Sequence, residues 1–256
     1  MSGDERGEQM ATDLATPPVP RAKVTMLRAF EINISGSSLI VPQGAQRLVA
    51  FLALRDRPQL RTTVATSLWM DTTEDRAAAN LRTALWKLAD MRDLLIHSLG
   101  SYLTLAPGVE VDFSRLLTRV KTLIDGDGDI NDFDTSTGDL AGDLLPDWDE
   151  DWLLFERERL RQLRIHALEA LSRRLCAAGR YAAAVDAGLS AVTAEPLRES
   201  AQRVLIEVHL AEGNVSEARR QFELYRAVLW DNLALLPSAS LCSLVGVMGA
   251  SKPGEV

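Results

Sequence analysis

Residues 74–90, EDRAAANLRTALWKLAD, carry side chains suited to recognising another molecule. At about 100° per residue, a helical wheel places Arg76, Asn80, Thr83 and Lys87 on one side of this stretch. An asparagine can hold adenine by two hydrogen bonds, arginine or lysine can hold guanine, and a threonine methyl can contact thymine. The spacing is therefore compatible with a helix that enters the major groove of DNA.

The rest of the stretch divides between a buried side and this recognition face. The predicted buried side is centred on Leu81 and contains Ala77, Ala78, Ala84, Leu85, Leu88 and Ala89. The predicted recognition face consists of Arg76, Ala79, Asn80, Thr83, Trp86, Lys87 and Asp90, with Arg82 at its margin. Any surface helix can expose such polar groups, so the neighbouring elements must decide between recognition and simple solvation.

The neighbouring sequence predicts the elements of a winged helix-turn-helix domain over residues 22–110. Alternation in KVTMLRAFEINISGSSLIVP predicts short antiparallel strands with a tight turn at Ser35-Gly36-Ser37. PQGAQRLVAFLALRDRP and RTTVATSLW predict two helices ahead of residues 74–90, and LLIHSLGSYLTLAPG predicts a hairpin turning at Gly100. In this order the third helix is the one that reads DNA.

The same order assigns supporting contacts to the DNA backbone. Arg61, Thr62 and Thr63 begin the second helix, where hydroxyl, guanidinium and backbone N–H groups can bind phosphate. Further candidates are Arg47 on the first helix, with solvation as its alternative, and Ser98, Ser101 and Tyr102 at the hairpin tip, with the core as the alternative for Tyr102. For Trp86 three environments are considered, namely the wing, a phosphate-sugar edge or a partner, and packing against the wing is favoured.

Charge is distributed unevenly along the 256 residues. The net charge is −8, but residues 21–110 hold 11 Lys and Arg against 8 Asp and Glu, while residues 111–256 hold 16 against 24. Exposed charges further apart than roughly 8–10 Å are largely screened, so the basic N-terminal part can still meet an anionic partner. The N-terminus lacks the order of a secretory signal and no long apolar run occurs, which predicts a cytoplasmic protein without membrane contact, nucleoid-associated when bound to DNA.

The sequence contains few of the residue patterns that are typical of enzymes. Cys176 and Cys242 lie in apolar helical patterns and are expected to be buried reduced thiols. Neither a metal-ligand spacing, a phosphate-binding loop nor a nucleophile with its His and carboxylate stands out, so no enzyme, cofactor or metal site is predicted.

The second part of the chain predicts a helical repeat. Ala167, Leu171, Gly179 and Ala184 recur 34 residues later as Ala201, Leu205, Gly213 and Ala218, which is the tetratricopeptide period. We expect this all-α domain to span 111–250, with helices 148–164 and 220–233 capping the array. Residues 125–151 hold eleven acidic side chains and no Lys or Arg, and a flexible acidic loop is favoured there over a calcium loop because EF-hand spacing is absent. The polar residues 1–21 are interpreted as a disordered leader.

Both halves resemble one known family. SLWMDTTEDRAAANLRTALWKL with GSYLTLAPGVEVD, then DLLPDWDEDWLLFERERLRQLRIHALEALSRRL, AAGRYAAAVDAGLSAVTAEPLRESAQRVLIEVHLAEGNVSEA and LLPSASL, are similar to SARP-type regulators. These join an OmpR-like winged helix-turn-helix to a bacterial transcriptional activator domain of tetratricopeptide-like helices. The resemblance implies an activator that binds promoter direct repeats, as a homodimer on DNA, and recruits RNA polymerase through its sigma-factor region. The sequence departs from the family pattern after Leu88, where Ala89-Asp90-Met91 replaces the usual basic run. No Gly-rich Walker A stretch occurs, so ATP regulation in cis is not expected.

Two functions from different classes follow from these observations. The first is a sequence-specific DNA-binding transcription regulator, probed most directly at Arg76 and Asn80. The alternative, motivated by Asp90 and the acidic total charge, is a repeat scaffold that binds a protein and whose winged domain has lost specific DNA binding. The expected fold is mostly α, a winged helix-turn-helix of α+β type followed by the all-α repeat domain.

Overall fold

The computed structural model describes residues 22–55, 57–126, 140 and 142–246. The chain divides into two compact units. The first contains the described residues up to Met26 together with Phe30–Asp112, and the second contains Leu27–Ala29 and the described residues from Phe113 onward. The predicted leader 1–21 and most of the acidic segment, residues 127–139 and 141, lie outside the described residues.

The first unit combines short strands with helices, as predicted for a winged helix-turn-helix. Its elements are β1 (Ala22–Thr25), β2 (Glu31–Ile34), β3 (Ser37–Leu39), α1 (Gln43–Ala53), β4 (Gln59–Leu60), α2 (Arg61–Leu68), α3 (Glu74–Lys87), α4 (Arg92–Leu95), β5 (Ile96–Leu99), β6 (Tyr102–Leu105) and β7 (Glu110–Val111). The strands form two sheets, ordered β3-β2-β1-β7 and β4-β6-β5.

The turn between β2 and β3 has the geometry that the sequence predicts. Ser35 and Gly36 have φ values of 51° and 89°, and two consecutive positive values are typical of a two-residue hairpin turn. The Asn33 side chain accepts a hydrogen bond from the Gly36 N–H at 2.9 Å, which holds the turn closed. The sequence did not indicate β7, which pairs parallel with β1.

Helices α1, α2 and α3 and the hairpin β5–β6 enclose the core of this unit. Leu48, Leu68, Leu81 and Leu103 are buried within it. The predicted extent of the third helix was wrong at its end. The α-helix ends at Lys87 rather than at residue 90, because Ala89 adopts a left-handed φ of 46°. Ala89 is consequently exposed instead of buried, and Ala78 is only half-buried.

The second unit is helical. It consists of α5 (Asp112–Asp125), α6 (Asp151–Ala177), α7 (Tyr181–Ala194), α8 (Glu199–Glu212), α9 (Val215–Leu233) and α10 (Ala239–Leu244). Although α5 begins at the last residue of the first unit, its buried apolar positions belong to the second. Within the described residues no helix is both long and apolar enough to cross a membrane.

The predicted repeat is confirmed by the helix pairs α6–α7 and α8–α9. Gly179 and Gly213 separate the helices of each pair with φ values of 72° and 87°, a conformation that glycine adopts without strain. The four repeated alanines are fully buried: Ala167, Ala184, Ala201 and Ala218. Small side chains at these positions let the helices approach closely, as the 34-residue period predicts.

The predicted capping helices were wrong, because both are parts of longer helices. Apolar positions continue without a helix-breaking residue from Leu153 to Leu175, so α6 is one helix of 27 residues that includes most of 148–164. Residues 220–233 similarly belong to α9. Of the two cysteines, Cys242 is buried as expected, whereas Cys176 is only half-buried, and both are free thiols.

The final part of the predicted acidic loop is packed rather than flexible. Leu144 and Leu145 are each 1% exposed, and Leu144 forms an isolated β-bridge with Leu27. The Arg157 guanidinium donates to the backbone carbonyls of Leu144 (2.9 Å), Leu145 and Trp148 (2.7 Å). Two apolar side chains thus anchor a segment whose composition indicates a solvated loop.

Gly188 on α7 provides a test of how closely the repeat helices pack. A Cβ atom at this position would lie 3.3 Å from both Leu205 Cδ1 and Ser172 Oγ, which is closer than an ordinary van der Waals separation. We expect Gly188→Val to lower the free energy of unfolding by about 1–3 kcal/mol through overpacking. Urea unfolding measures the effect, with Ala182→Val at an exposed position of the same helix as control. Equal stability of the two variants would contradict this packing.

Candidate nucleic-acid interface

Helix α3 presents the predicted recognition residues on its outer face. Arg76, Arg82, Thr83 and Lys87 are exposed and Asn80 is half-buried, while Ala77, Leu81, Ala84 and Leu85 point into the core. The Thr83 hydroxyl donates to the Ala79 carbonyl at 3.0 Å. Its hydroxyl hydrogen is therefore used within the helix, and a thymine methyl contact is the interaction best suited to this side chain.

The start of α2 is bonded to the tip of the hairpin. The Arg61 backbone N–H donates to the Ser101 carbonyl at 2.9 Å, and its guanidinium donates to Ser98 Oγ at 3.2 Å and to the Gly100 carbonyl at 3.4 Å. Strand β4 extends this connection by pairing with β6, with Leu60 opposite Tyr102. Four residues that the sequence predicts as DNA contacts on separate elements therefore lie together: Arg61, Ser98, Ser101 and Tyr102.

The remaining residues of this edge are exposed. Thr62 and Thr63 face solvent in the first turn of α2, where the N–H groups of a helix terminus can bind a phosphate oxygen. Tyr102 is 45% exposed, which rules out the alternative that placed it in the core. Its phenol can accompany the threonines in contacting the backbone of a nucleic acid.

The preferred environment of Trp86 was wrong. The indole is 72% exposed, so it does not pack against the hairpin. The Lys87 ammonium lies 4.8 Å from the centroid of the ring, within the range of a cation–π interaction. An exposed indole beside a cation leaves contact with a phosphate-sugar edge or with a partner as the remaining interpretations.

Arg47 is used within the domain. One of its guanidinium nitrogens donates to the Leu68 carbonyl, at the end of α2, and the group lies 5.8 Å from the Trp69 ring centroid. Neither proposed environment, phosphate or solvent, includes this contact. Arg47 therefore fixes α1 against α2, and a phosphate contact by Arg47 would require this bond to break.

The ends of α3 carry acidic groups. Glu74 and Asp75 occupy its first turn, where the positive end of the helix dipole favours them. Asp90, predicted on the recognition face, lies beyond the end of the α-helix in a short 3₁₀ segment, Ala89–Met91. The cationic part of the face is consequently confined to the interval between Arg76 and Lys87.

A shallow groove beside the hairpin contains a residue that was not selected from the sequence. This groove, of about 580 Å³, is lined by Arg57, Pro58, Gln59, Leu60, Thr63, Leu99 and Tyr102. Arg57 thus adds a positive charge next to two of the selected residues. The basic residues of the RDRP stretch before β4 could have indicated Arg57 as a candidate. Its place beside the hairpin, however, depends on the pairing of β4 with β6.

A family comparison identifies the second part of the chain. Residues 128–246 match the family described as "Bacterial transcriptional activator domain". This range begins before α6 and ends after α10, so it includes all of the repeat helices. No curated protein sequence matches the chain.

A solved structure has the same fold over most of the chain. The structure described as Mycobacterium tuberculosis EmbR in complex with low affinity phosphopeptide superimposes with a TM-score of 0.73 at 18% identity. The match covers 89% of this chain and 64% of that chain, so this chain spans somewhat less than two thirds of the EmbR chain.

The described residues thus combine a winged helix-turn-helix unit with a tetratricopeptide-like helical unit, and this fold is shared with the EmbR structure. The similarity to the bacterial transcriptional activator domain family lies in the second unit, over residues 128–246.

Proposed function

We propose that the chain is a SARP-type transcription regulator that binds promoter DNA sequence-specifically through α3. The observation that carries the proposal is the row of Arg76, Asn80 and Thr83, which lies on the outer face of the third helix of a winged fold. These three side chains belong to the types that distinguish base pairs in the major groove. On this face of the helix, the interval from Arg76 to Thr83 contains one apolar residue, Ala79.

Contacts to the DNA backbone are assigned to the edge formed by α2 and the hairpin. Thr62 and Thr63 offer hydroxyl and backbone N–H groups, and Arg61 connects them to Ser98 and Ser101 at the hairpin tip. Such contacts fix the orientation of a protein on the duplex without reading its sequence. Because each cationic contact to phosphate releases counterions, affinity should fall steeply with salt.

Activation is proposed from the second unit. Its family is one of transcriptional activator domains, and we infer that it raises transcription by recruiting RNA polymerase, with the sigma-factor region as the contact. Binding as a homodimer to direct repeats belongs to the same proposal. Each of these partners follows from family likeness, whereas DNA recognition also follows from named side chains of α3.

The test is selection of sheared genomic DNA by the purified full chain at two salt concentrations, followed by a motif search. A short repeated motif upstream of genes, weaker at the higher salt, supports the proposal. Absence of any enriched sequence at both salts, from folded protein, would refute it. That outcome would favour the alternative of a protein-binding repeat scaffold, which a pull-down of protein partners would then examine.

A further inference from the structure

The second unit contains a large cavity that takes no part in the proposed DNA binding or activation. It has a volume of about 990 Å³, at the upper end of the range of small-molecule sites. Helices α6 and α7 and the packed segment around Leu144 form its walls. Its apolar lining includes Leu140, Leu144, Leu154, Leu160, Leu168 and Leu189.

Three arginines line this cavity, and two of them have hydrogen-bond acceptors on more than one residue. Arg157 donates to three backbone carbonyls and thereby holds the segment that forms one wall. Arg161 donates to Glu158 at 2.9 Å and also to Glu195. This bonding lowers the pKa of the Glu158 carboxyl to about 2, so that pair remains charged at any ordinary pH.

Arg164, the third arginine, is different. Its side chain is 13% exposed, and its only acceptor among the described residues is Asp143, 3.4 Å from Nη1. Its Nε and Nη2 atoms are buried and donate to no acceptor in the part of the chain that the structure describes. Burial lowers the pKa of Arg164, as expected for a cation taken from water with incomplete compensation.

The two unused donors form one edge of the guanidinium. Nε and Nη2 point in the same direction, which is the arrangement that binds both oxygens of a carboxylate. Leaving buried donors without acceptors is costly, and a native structure rarely does so without a reason. Binding of an anion at this edge requires the guanidinium to turn toward the cavity, and the contact that it must give up is long and is made to Asp143, whose side chain is 80% exposed.

We propose that this cavity binds a small amphipathic organic acid. Its carboxylate pairs with the Nε–Nη2 edge of Arg164, and its apolar body lies along the leucines of the wall. Asp143, Glu158 and Asp186 also line the cavity, so the ligand is expected to carry a single anionic group, placed at Arg164. The site requires only the second unit, and its occupancy does not depend on whether α3 binds DNA.

The experiment is isothermal titration calorimetry of the full chain at pH 7 with three probes. Decanoate has both features, decyltrimethylammonium has the same chain with the opposite charge, and acetate has the charge without the chain. We expect decanoate to bind at least about tenfold more tightly than either of the other two. Arg164→Gln should weaken decanoate binding by about tenfold or more, because a hydrogen-bonded ion pair is lost.

Two further variants keep this test independent of folding. Arg159→Gln removes a 55% exposed arginine of α6 outside the cavity lining, and decanoate affinity should not change. Leu189→Glu, at a wall position that is 46% exposed, should fold normally and reduce decanoate binding by adding a negative charge. The proposal is overturned if decanoate does not bind, if the cationic probe binds equally well, or if Arg164→Gln and Leu189→Glu bind decanoate like the unmodified chain.

Discussion

Replacement of Asn80 by alanine should weaken binding to the selected DNA motif by roughly 5- to 150-fold, which corresponds to about 1–3 kcal/mol. Asn80 lies between Arg76 and Thr83 on the outer face of α3 and is half-buried. Loss of a bidentate contact to adenine removes two hydrogen bonds and leaves the base edge unsatisfied. Fluorescence anisotropy with a labelled motif measures the change.

The more specific test changes the DNA together with the protein. The unmodified chain should discriminate against a motif in which the contacted A·T pair is replaced, and Asn80→Ala should bind both motifs equally. Arg76→Ala should behave in the same way at a G·C pair. If Asn80→Ala and Arg76→Ala retain full discrimination at every position, the assignment of α3 as the reading helix is wrong.

Matched controls exist on helix α9 of the second unit. Asn232→Ala and Arg220→Ala make the same chemical changes at exposed positions, with Arg220 73% exposed. Neither should alter the affinity for the motif or the far-UV circular dichroism. A comparable loss of binding in a control variant would indicate a general effect of charge or folding rather than base recognition.

Replacement of Phe222 by alanine should destabilise the second unit by about 3–5 kcal/mol. Phe222 is 1% exposed and belongs to a cluster formed by α8, α9 and α10, with Ile206, Tyr225, Leu241 and Cys242 around it. Burial, with a contribution from Glu199, raises the pKa of Tyr225 to about 12, in keeping with an apolar surrounding. Truncation removes an aromatic ring and leaves a cavity that the rigid helices fill only in part.

Hydrogen exchange followed by mass spectrometry can assign this loss to the correct unit. Peptides from α8 and α9 should exchange roughly a hundredfold to several thousandfold faster in Phe222→Ala, whereas peptides from α1 to α3 should be unchanged. Leu224→Ala, at a 54% exposed position of the same helix, is the control and should have little effect. Unaltered exchange in α9 of Phe222→Ala would mean that this cluster does not stabilise the unit.

The local periodicity of the sequence determined most of the elements and the composition of the α3 face. Arg76, Asn80 and Thr83 share a face because helical geometry alone relates positions three and four residues apart. The 34-residue repeat was equally accessible, since Ala167 and Ala201 report the same packing environment in successive helix pairs. The predicted ends of two elements were wrong. The apolar pattern of the third helix continues past its true end near Ala89, and the pattern over α6 was interpreted as a separate capping helix.

Only the tertiary structure decided which side chains remain available for a ligand. The bond from Arg47 to the Leu68 carbonyl joins residues 21 positions apart, and the bond from Arg61 to Ser98 joins residues 37 positions apart. The exposure of Trp86 and the unused donors of Arg164 depend likewise on what surrounds each group in space. Such contacts depend on how distant segments pack, whereas sequence periodicity reports only the relation of each residue to its own helix or strand.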